Sequence, residues 1–103
     1  MIHLKKEKFE DLVKKGNHIV DFYAEWCGPC RMMGSVLETI EPKLEGKADI
    51  IKINIDEFEE LAHEHKVMSI PTIFFYKDGE IVDQETGFSA EDYLLDKINE
   101  VFK

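Results

Sequence analysis

The sequence predicts an α/β fold, a central mixed β-sheet flanked by helices in the order β-α-β-α-β-α-β-β-α. Three observations predict it. Short runs of β-branched and aromatic residues alternate with stretches whose apolar residues recur every three or four positions, the pattern of strands alternating with amphipathic helices. The run Ile19-Val20-Asp21-Phe22-Tyr23 is apolar almost throughout, as a central strand buried on both faces requires. Asp78-Gly79, between two strand-like runs, is a strong hairpin signal. A chain of 103 residues has the size of one domain, and no linker, repeat or low-complexity tract divides it, so a single domain over residues 1–103 is expected.

The elements follow in order. Ile2 to Leu4 suits a short edge strand. Phe9, Leu12 and Val13 lie at helical spacing, and Gly16-Asn17 stops that helix. His18 to Ala24 is the central strand. After Cys27-Gly28-Pro29-Cys30, the residues Met33, Val36, Leu37 and Ile40 share one helical face. Pro29 suits the first turn, where a missing N–H does no harm. Pro42 should kink or end this helix by displacing the bond to the Glu38 carbonyl, and Gly46 closes the segment. Ile50, Ile51, Ile53 and Ile55 form the next strand. Asp56 is a candidate N-cap for a helix with Phe58, Leu61 and Ala62 inward and Glu59 at the capping-box position. Thr72 to Tyr76 and Glu80 to Thr86 form the hairpin. Ser89 is a candidate cap for a last helix that turns Leu94, Leu95, Ile98, Val101 and Phe102 inward.

Asp and Glu number 22 against 13 Lys and Arg, a formal net charge of −9. That balance argues against binding a phosphate backbone, which requires clustered cations. A solvated acidic surface is the plain account of the excess, and steering of basic partners is the alternative. The N-terminus has no apolar run long enough for a signal peptide, and nowhere do about 18 apolar residues follow one another. The expected location is the cytoplasm, where structural disulfides are rare. A core of this size can stabilise a domain by roughly 5–15 kcal/mol without staples. Two cysteines three residues apart therefore point to redox or metal chemistry.

The Cys27-x-x-Cys30 pair sits where a strand ends and a helix begins. Cys27 then lies at a helix N-terminus, whose free N–H groups and dipole favour an anion. The thiolate is the reactive form, and an ordinary thiol with a pKa of ~8.5 is only about 3% ionised at pH 7. A dipole contribution of about 0.3–2 kcal/mol lowers that pKa by at most about 1.5, enough to bring Cys27 to about half ionised. Cys30, one turn into the helix, should be less exposed. In exchange chemistry Cys27 would attack a substrate disulfide, and Cys30 would resolve the mixed disulfide. A structural zinc site would need four ligands, usually from two such pairs. This chain has one pair, and His63 and His65 fall on different helix faces. No metal is expected, and a purely structural disulfide is the other alternative.

The run Ile19-Val20-Asp21-Phe22-Tyr23-Ala24-Glu25-Trp26-Cys27-Gly28-Pro29-Cys30 closely resembles the thioredoxin family. So do Lys52-Ile53-Asn54-Ile55-Asp56, Ile70-Pro71-Thr72, Lys77-Asp78-Gly79-Glu80 and Gly87, in the family's order and spacing across essentially the whole chain. The resemblance implies a thioredoxin fold and a protein-disulfide reductase working through Cys27 and Cys30. Thioredoxins are a standing example of a CxxC thiol held below the ordinary cysteine range, so the lowering inferred for Cys27 is not independent of them. The resemblance also implies that Asp21 is a buried carboxylate beneath the cysteines. Burial raises a carboxyl pKa and makes it a candidate proton acceptor for Cys30. Lys52 resembles that carboxylate's partner; read alone, it is a surface Lys with a snorkelling stem. Pro71 resembles the family's cis-proline, with the Ile70 backbone placed to pair with an extended substrate peptide. Trp26 would cover the site and, with Gly28, Pro29, Ile70, Pro71 and Gly87, form an apolar substrate surface.

Two positions depart from the family pattern. Tyr23 stands where many thioredoxins have a second Trp, and Ser35, beside Gly34, stands where many have Pro. The first changes hydrogen bonding near the site, and the second puts the usual helix kink in doubt. The chain carries no nucleotide motif and should bind no cofactor. The resemblance implies electrons from a flavoprotein thioredoxin reductase fed by NADPH, or from a ferredoxin-linked equivalent. Disulfide-containing proteins are the expected partners, with no nucleic acid, no membrane and a monomeric state. An oxidase or isomerase of the same fold, and a module that docks on a partner when reduced, remain alternatives.

Overall fold

The computed structural model describes residues 1–103. Five strands form one sheet: β1 (Ile2–His3), β2 (Asn17–Tyr23), β3 (Asp49–Asn54), β4 (Thr72–Lys77) and β5 (Glu80–Thr86), in the spatial order β1-β3-β2-β4-β5. The first three are mutually parallel, and β4 and β5 run antiparallel to their neighbours. Four helices, α1 (Phe9–Val13), α2 (Gly28–Ile40), α3 (Glu59–Glu64) and α4 (Glu91–Val101), complete the expected order.

Side chains on a strand alternate between faces, and this divides the core in two. On one face Ile19, Ile50, Ile73 and Phe75 pack against Met33, Leu37 and Ile40 of α2 and Leu94 and Ile98 of α4. On the other, Val20, Phe22, Ile51, Ile53, Phe74 and Tyr76 pack against Phe9 and Val13 of α1 and Ala62 of α3. Asp21 and Tyr23 follow Ile19 at every second residue, and Lys52 follows Ile50. Those three polar or amphipathic side chains therefore leave the sheet on the α2 side, where an apolar residue would continue the core.

Pro42 acts as expected: α2 ends at Ile40 and tightens into a 3-10 turn over Glu41–Leu44. Ser35 leaves α2 unbroken; its hydroxyl bonds back to the Arg31 carbonyl at 3.4 Å. At the hairpin both Asp78 (φ 50°) and Gly79 (φ 87°) adopt the left-handed conformation that a two-residue turn between twisted strands requires.

Both proposed helix caps are corrected. Asp56 caps nothing: its carboxylate accepts from Trp26 Nε1 at 2.9 Å, and its own N–H donates to Asn54 Oδ1. The chain turns once more through Phe58, and α3 begins at Glu59 without a side-chain cap. Ser89 is buried and gives its N–H to Met33 Sδ at 3.5 Å, so Ala90 takes the cap position of α4. His65, weighed in the sequence only as a metal ligand, is a half-buried residue packed on the aromatic side chains of the core. Its Nε2 lies 2.6 Å from the Tyr76 hydroxyl, its Nδ1 lies 2.9 Å from the Leu61 carbonyl, and its ring packs on Phe9, Phe22 and Phe74.

Leu37 lies in the middle of α2 with no solvent exposure. Leu37→Ala should lower stability by about 2–5 kcal/mol. Urea unfolding should show this as a lower midpoint with an unchanged slope; a change under 1 kcal/mol would mean that the α2–sheet layer is loosely packed.

Candidate active site

The parallel strands β2 and β3 end at the same edge of the sheet, and the chain after β2 turns directly into α2. Cys27 is the N-cap of α2, and its sulfur accepts the Cys30 N–H at 3.1 Å. The two cysteines are joined as a disulfide with Cα atoms 5.2 Å apart. Pro29 sits in the first turn, where it costs no helical bond. Cys27 keeps 6% of its surface exposed and Cys30 only 1%. The order of accessibility is the expected one, but Cys27 is largely covered.

A second segment lies beside Cys27. The Ile70–Pro71 peptide is cis, and the Ile70 carbonyl oxygen lies 3.9 Å from Cys27 Sγ. The loop is tied at both ends. Thr72 Oγ1 donates to the Ser69 carbonyl at 2.6 Å, and the Gly87 N–H donates to the Pro71 carbonyl at 2.8 Å. Gly87 does so at φ 90°, a conformation side chains disfavour. Pro71 is itself buried. Trp26 is exposed, held by its bond to Asp56. Met32, Met68 and Phe88 add exposed apolar surface next to Cys30, Ile70 and Gly87 in the chain, and sequence reasoning missed all three.

Asp21 has no solvent exposure, and neither of its oxygens has a hydrogen-bond partner. Lys52, level with it on β3, approaches Oδ2 to 3.7 Å, an ion pair too long for a hydrogen bond. Burial pushes the carboxyl from its ordinary 3.8 up to about 6, against the opposing pull of the Lys52 ammonium. Lys52 is 11% exposed and also lies over the Tyr23 ring, 4.3 Å from its centroid. A cavity of about 170 Å³ opens between Lys52, Tyr23, Glu25 and Cys30. Lys52 and the second cysteine share this cavity. The larger hollow of about 480 Å³, lined by Met1, Ile2, Glu41 and Pro42, contains none of these groups.

A redox disulfide at a helix N-terminus, beside a cis-proline loop and a buried carboxylate, defines the class: a dithiol–disulfide oxidoreductase built on a mixed sheet. A family model for thioredoxin matches residues 1–100. The thioredoxins of Staphylococcus aureus strains Mu50 and MW2 are each 44% identical to the chain over 91 residues, covering 88% of both proteins. The solved structure of a mutant thioredoxin from Halobacterium salinarum NRC-1 superposes with a TM-score of 0.88 at 33% identity, over 99% of this chain and 90% of that one. The chain belongs to the thioredoxin family, and its activity is dithiol–disulfide exchange as a protein-disulfide reductase.

The buried carboxyl ties stability to pH. Its folded pKa exceeds its unfolded one, so the native state holds this proton more tightly. That contribution is full below about pH 3.8 and is lost as pH rises through about 6. A rise from 3.8 to about 6 corresponds to about 3 kcal/mol of destabilisation above pH 7. Asp21→Asn should therefore be the more stable protein at pH 8, by up to about 3 kcal/mol, with the gap closing near pH 4. Urea midpoints at both pH values check this; a gap independent of pH would mean that Asp21 does not titrate in the fold.

Proposed function

We propose that the chain reduces disulfides in other proteins with Cys27 as nucleophile, Cys30 as resolving thiol and Asp21 as proton acceptor. The observation that carries this division of labour is the unequal placement of the two cysteines, Cys27 as the N-cap of α2 with the greater remaining exposure and Cys30 inside the helix, lining a cavity together with Lys52. In the reduced protein the Cys27 thiolate attacks one sulfur of a substrate disulfide, forming a mixed disulfide and releasing the other sulfur as a thiolate. Cys30 gives its proton to the Asp21 carboxylate and attacks Cys27. The Cys27–Cys30 bond forms and the second substrate thiolate leaves. Two electrons have passed to the substrate.

Lys52 holds the acceptor carboxylate in its charged form between turnovers. Trp26, Gly28 and Pro29 flank Cys27, while Ile70, Pro71 and Gly87 offer the backbone along which an extended substrate segment lies. The chain acts as a single domain over 1–103 in the cytoplasm, as a monomer without a cofactor of its own. A flavoprotein thioredoxin reductase returns the electrons.

Cys30→Ser should accumulate mixed disulfides with substrate proteins through Cys27, visible as reducible adducts on non-reducing gels, while Cys27→Ser should give none. Adducts on Cys30 instead would reverse the two roles. Asp21→Asn should slow insulin-disulfide reduction about 10²-fold or more near pH 7, the usual scale of acid–base catalysis. Equal rates from pH 6 to pH 8 would remove Asp21 from the mechanism.

A further inference from the structure

We propose that Tyr23 is a positioning residue for the exchange reaction: its ring holds the Lys52 ammonium against the Asp21 carboxylate and so sets how tightly that carboxylate takes up a proton. The inference rests on the assignment of Asp21 as proton acceptor and extends it to the aromatic residue packed beside the cysteines.

Two contacts converge on the Lys52 ammonium, and the backbone of α2 lies close on a third side. The ammonium lies 3.7 Å from Asp21 Oδ2 and 4.3 Å from the centroid of the Tyr23 ring. On its third side, a Cβ built on Gly34 of α2 would stand 3.3 Å from Nζ. The backbone dictates the first two. Lys52 is in register with Asp21, and Tyr23 lies two residues further along β2 on the same face of the sheet. A lysine head has no fixed geometry of its own. With no hydrogen bond to Asp21 and a cavity of about 170 Å³ beside it, it has room to swing outward. The electron-rich ring face is what opposes that motion.

The groups that face Asp21 are few. Lys52 comes from β3 and is the one charged group acting on it, and the register partner on β4 is the apolar Ile73. His3 of β1, Glu25 and Arg31 line the outer cavity. Glu25 and Glu57 act on the Tyr23 phenol, which burial first and those carboxylates second hold above its ordinary pKa, so it stays neutral. The ring therefore contributes its face rather than a charge. Losing it has two opposite consequences for Asp21. An ammonium that swings away raises the carboxyl pKa, while water entering the vacated space lowers it. The sign of the change separates a positioning ring from a mere wall.

The test is a carboxyl ¹³C NMR titration of Asp21 in the oxidised protein. Tyr23→Leu, with Tyr23→Met as a second ring-free variant should the first fold poorly, is expected to raise the Asp21 midpoint by about 0.5 pH unit. Tyr23→Phe should keep the parent value because the ring face remains. In a Lys52→Met background, Tyr23→Leu should produce no rise. A fall or an unchanged midpoint in the ring-free variants, or a rise that persists without Lys52, overturns the inference. These midpoints do not depend on the catalytic role of Asp21. That role is read separately from the exchange rate of Asp21→Asn, so failure of one leaves the other standing.

Discussion

One carboxyl group without a single hydrogen bond sits in the interior of the central strand, and the rest of the site is arranged around that fact. Asp21 occupies a position that the alternation of β2 assigns to the core face shared with α2. An isolated charge there would be prohibitive, and the group answers in two ways. It shifts toward its neutral form, and it gains a cation at 3.7 Å. Neither response removes the cost. A domain of this size, stable by roughly 5–15 kcal/mol, carries about 3 kcal/mol of destabilisation at one residue above neutral pH. Packing alone would place Val or Ile here, as at Ile19 on the same face. A local breach of the packing rule inside an otherwise consistent core is the physical mark of a functional position.

The two-layer core makes that breach tolerable. The α1–α3 side of the sheet is continuous and apolar, and the α2–α4 side is filled from Ile19 downward by Met33, Leu37, Leu94 and Ile98. The polar group lies only at the end of β2 where α2 begins. The same end holds the N–H groups that receive Cys27 and the loop that brings the Ile70 carbonyl beside its sulfur. That loop is anchored by Thr72 and Gly87, both on the hairpin side of the sheet. Asp21 and Cys27 are joined directly through the turn from β2 to α2, whereas Ile70 reaches Cys27 from a loop 43 residues further on. The sheet fixes their distances.

The order of elements was legible because periodicity reports burial, and burial decides which face of each element is apolar. The caps were not. An N-cap is a competition for a side-chain acceptor, and the sequence hides the competitors: Trp26 takes the Asp56 carboxylate from across the site, and Met33 draws Ser89 into the core. His65 was opaque for the same reason, since its partner Tyr76 is supplied by a strand eleven residues away. Cys27 and Cys30 could be singled out by spacing alone. Asp21 and Lys52 could be paired only through resemblance, because their contact depends on the β2–β3 register across some thirty residues. Met68, almost fully exposed, carried no periodic signal at all.

On the proposed assignment, charge also orders the chemical events. In the dithiol protein a Cys27 thiolate and an ionised Asp21 are two anions near one cavity, and each disfavours the other. Lys52 can offset one of the two charges at a time. When Cys27 bonds to substrate, its negative charge departs with the leaving thiolate. Ionised Asp21 then faces no anionic rival, and the ammonium stabilises it fully at the moment when Cys30 must lose its proton. Forming the mixed disulfide is therefore itself the step that readies the acceptor, and the resolving thiol is activated only after substrate is attached. A lysine free to drift would blur that sequence, because its charge would no longer be committed to the carboxylate. The stacking of Lys52 on Tyr23 bears on the order of the reaction as well as on the pKa of one residue.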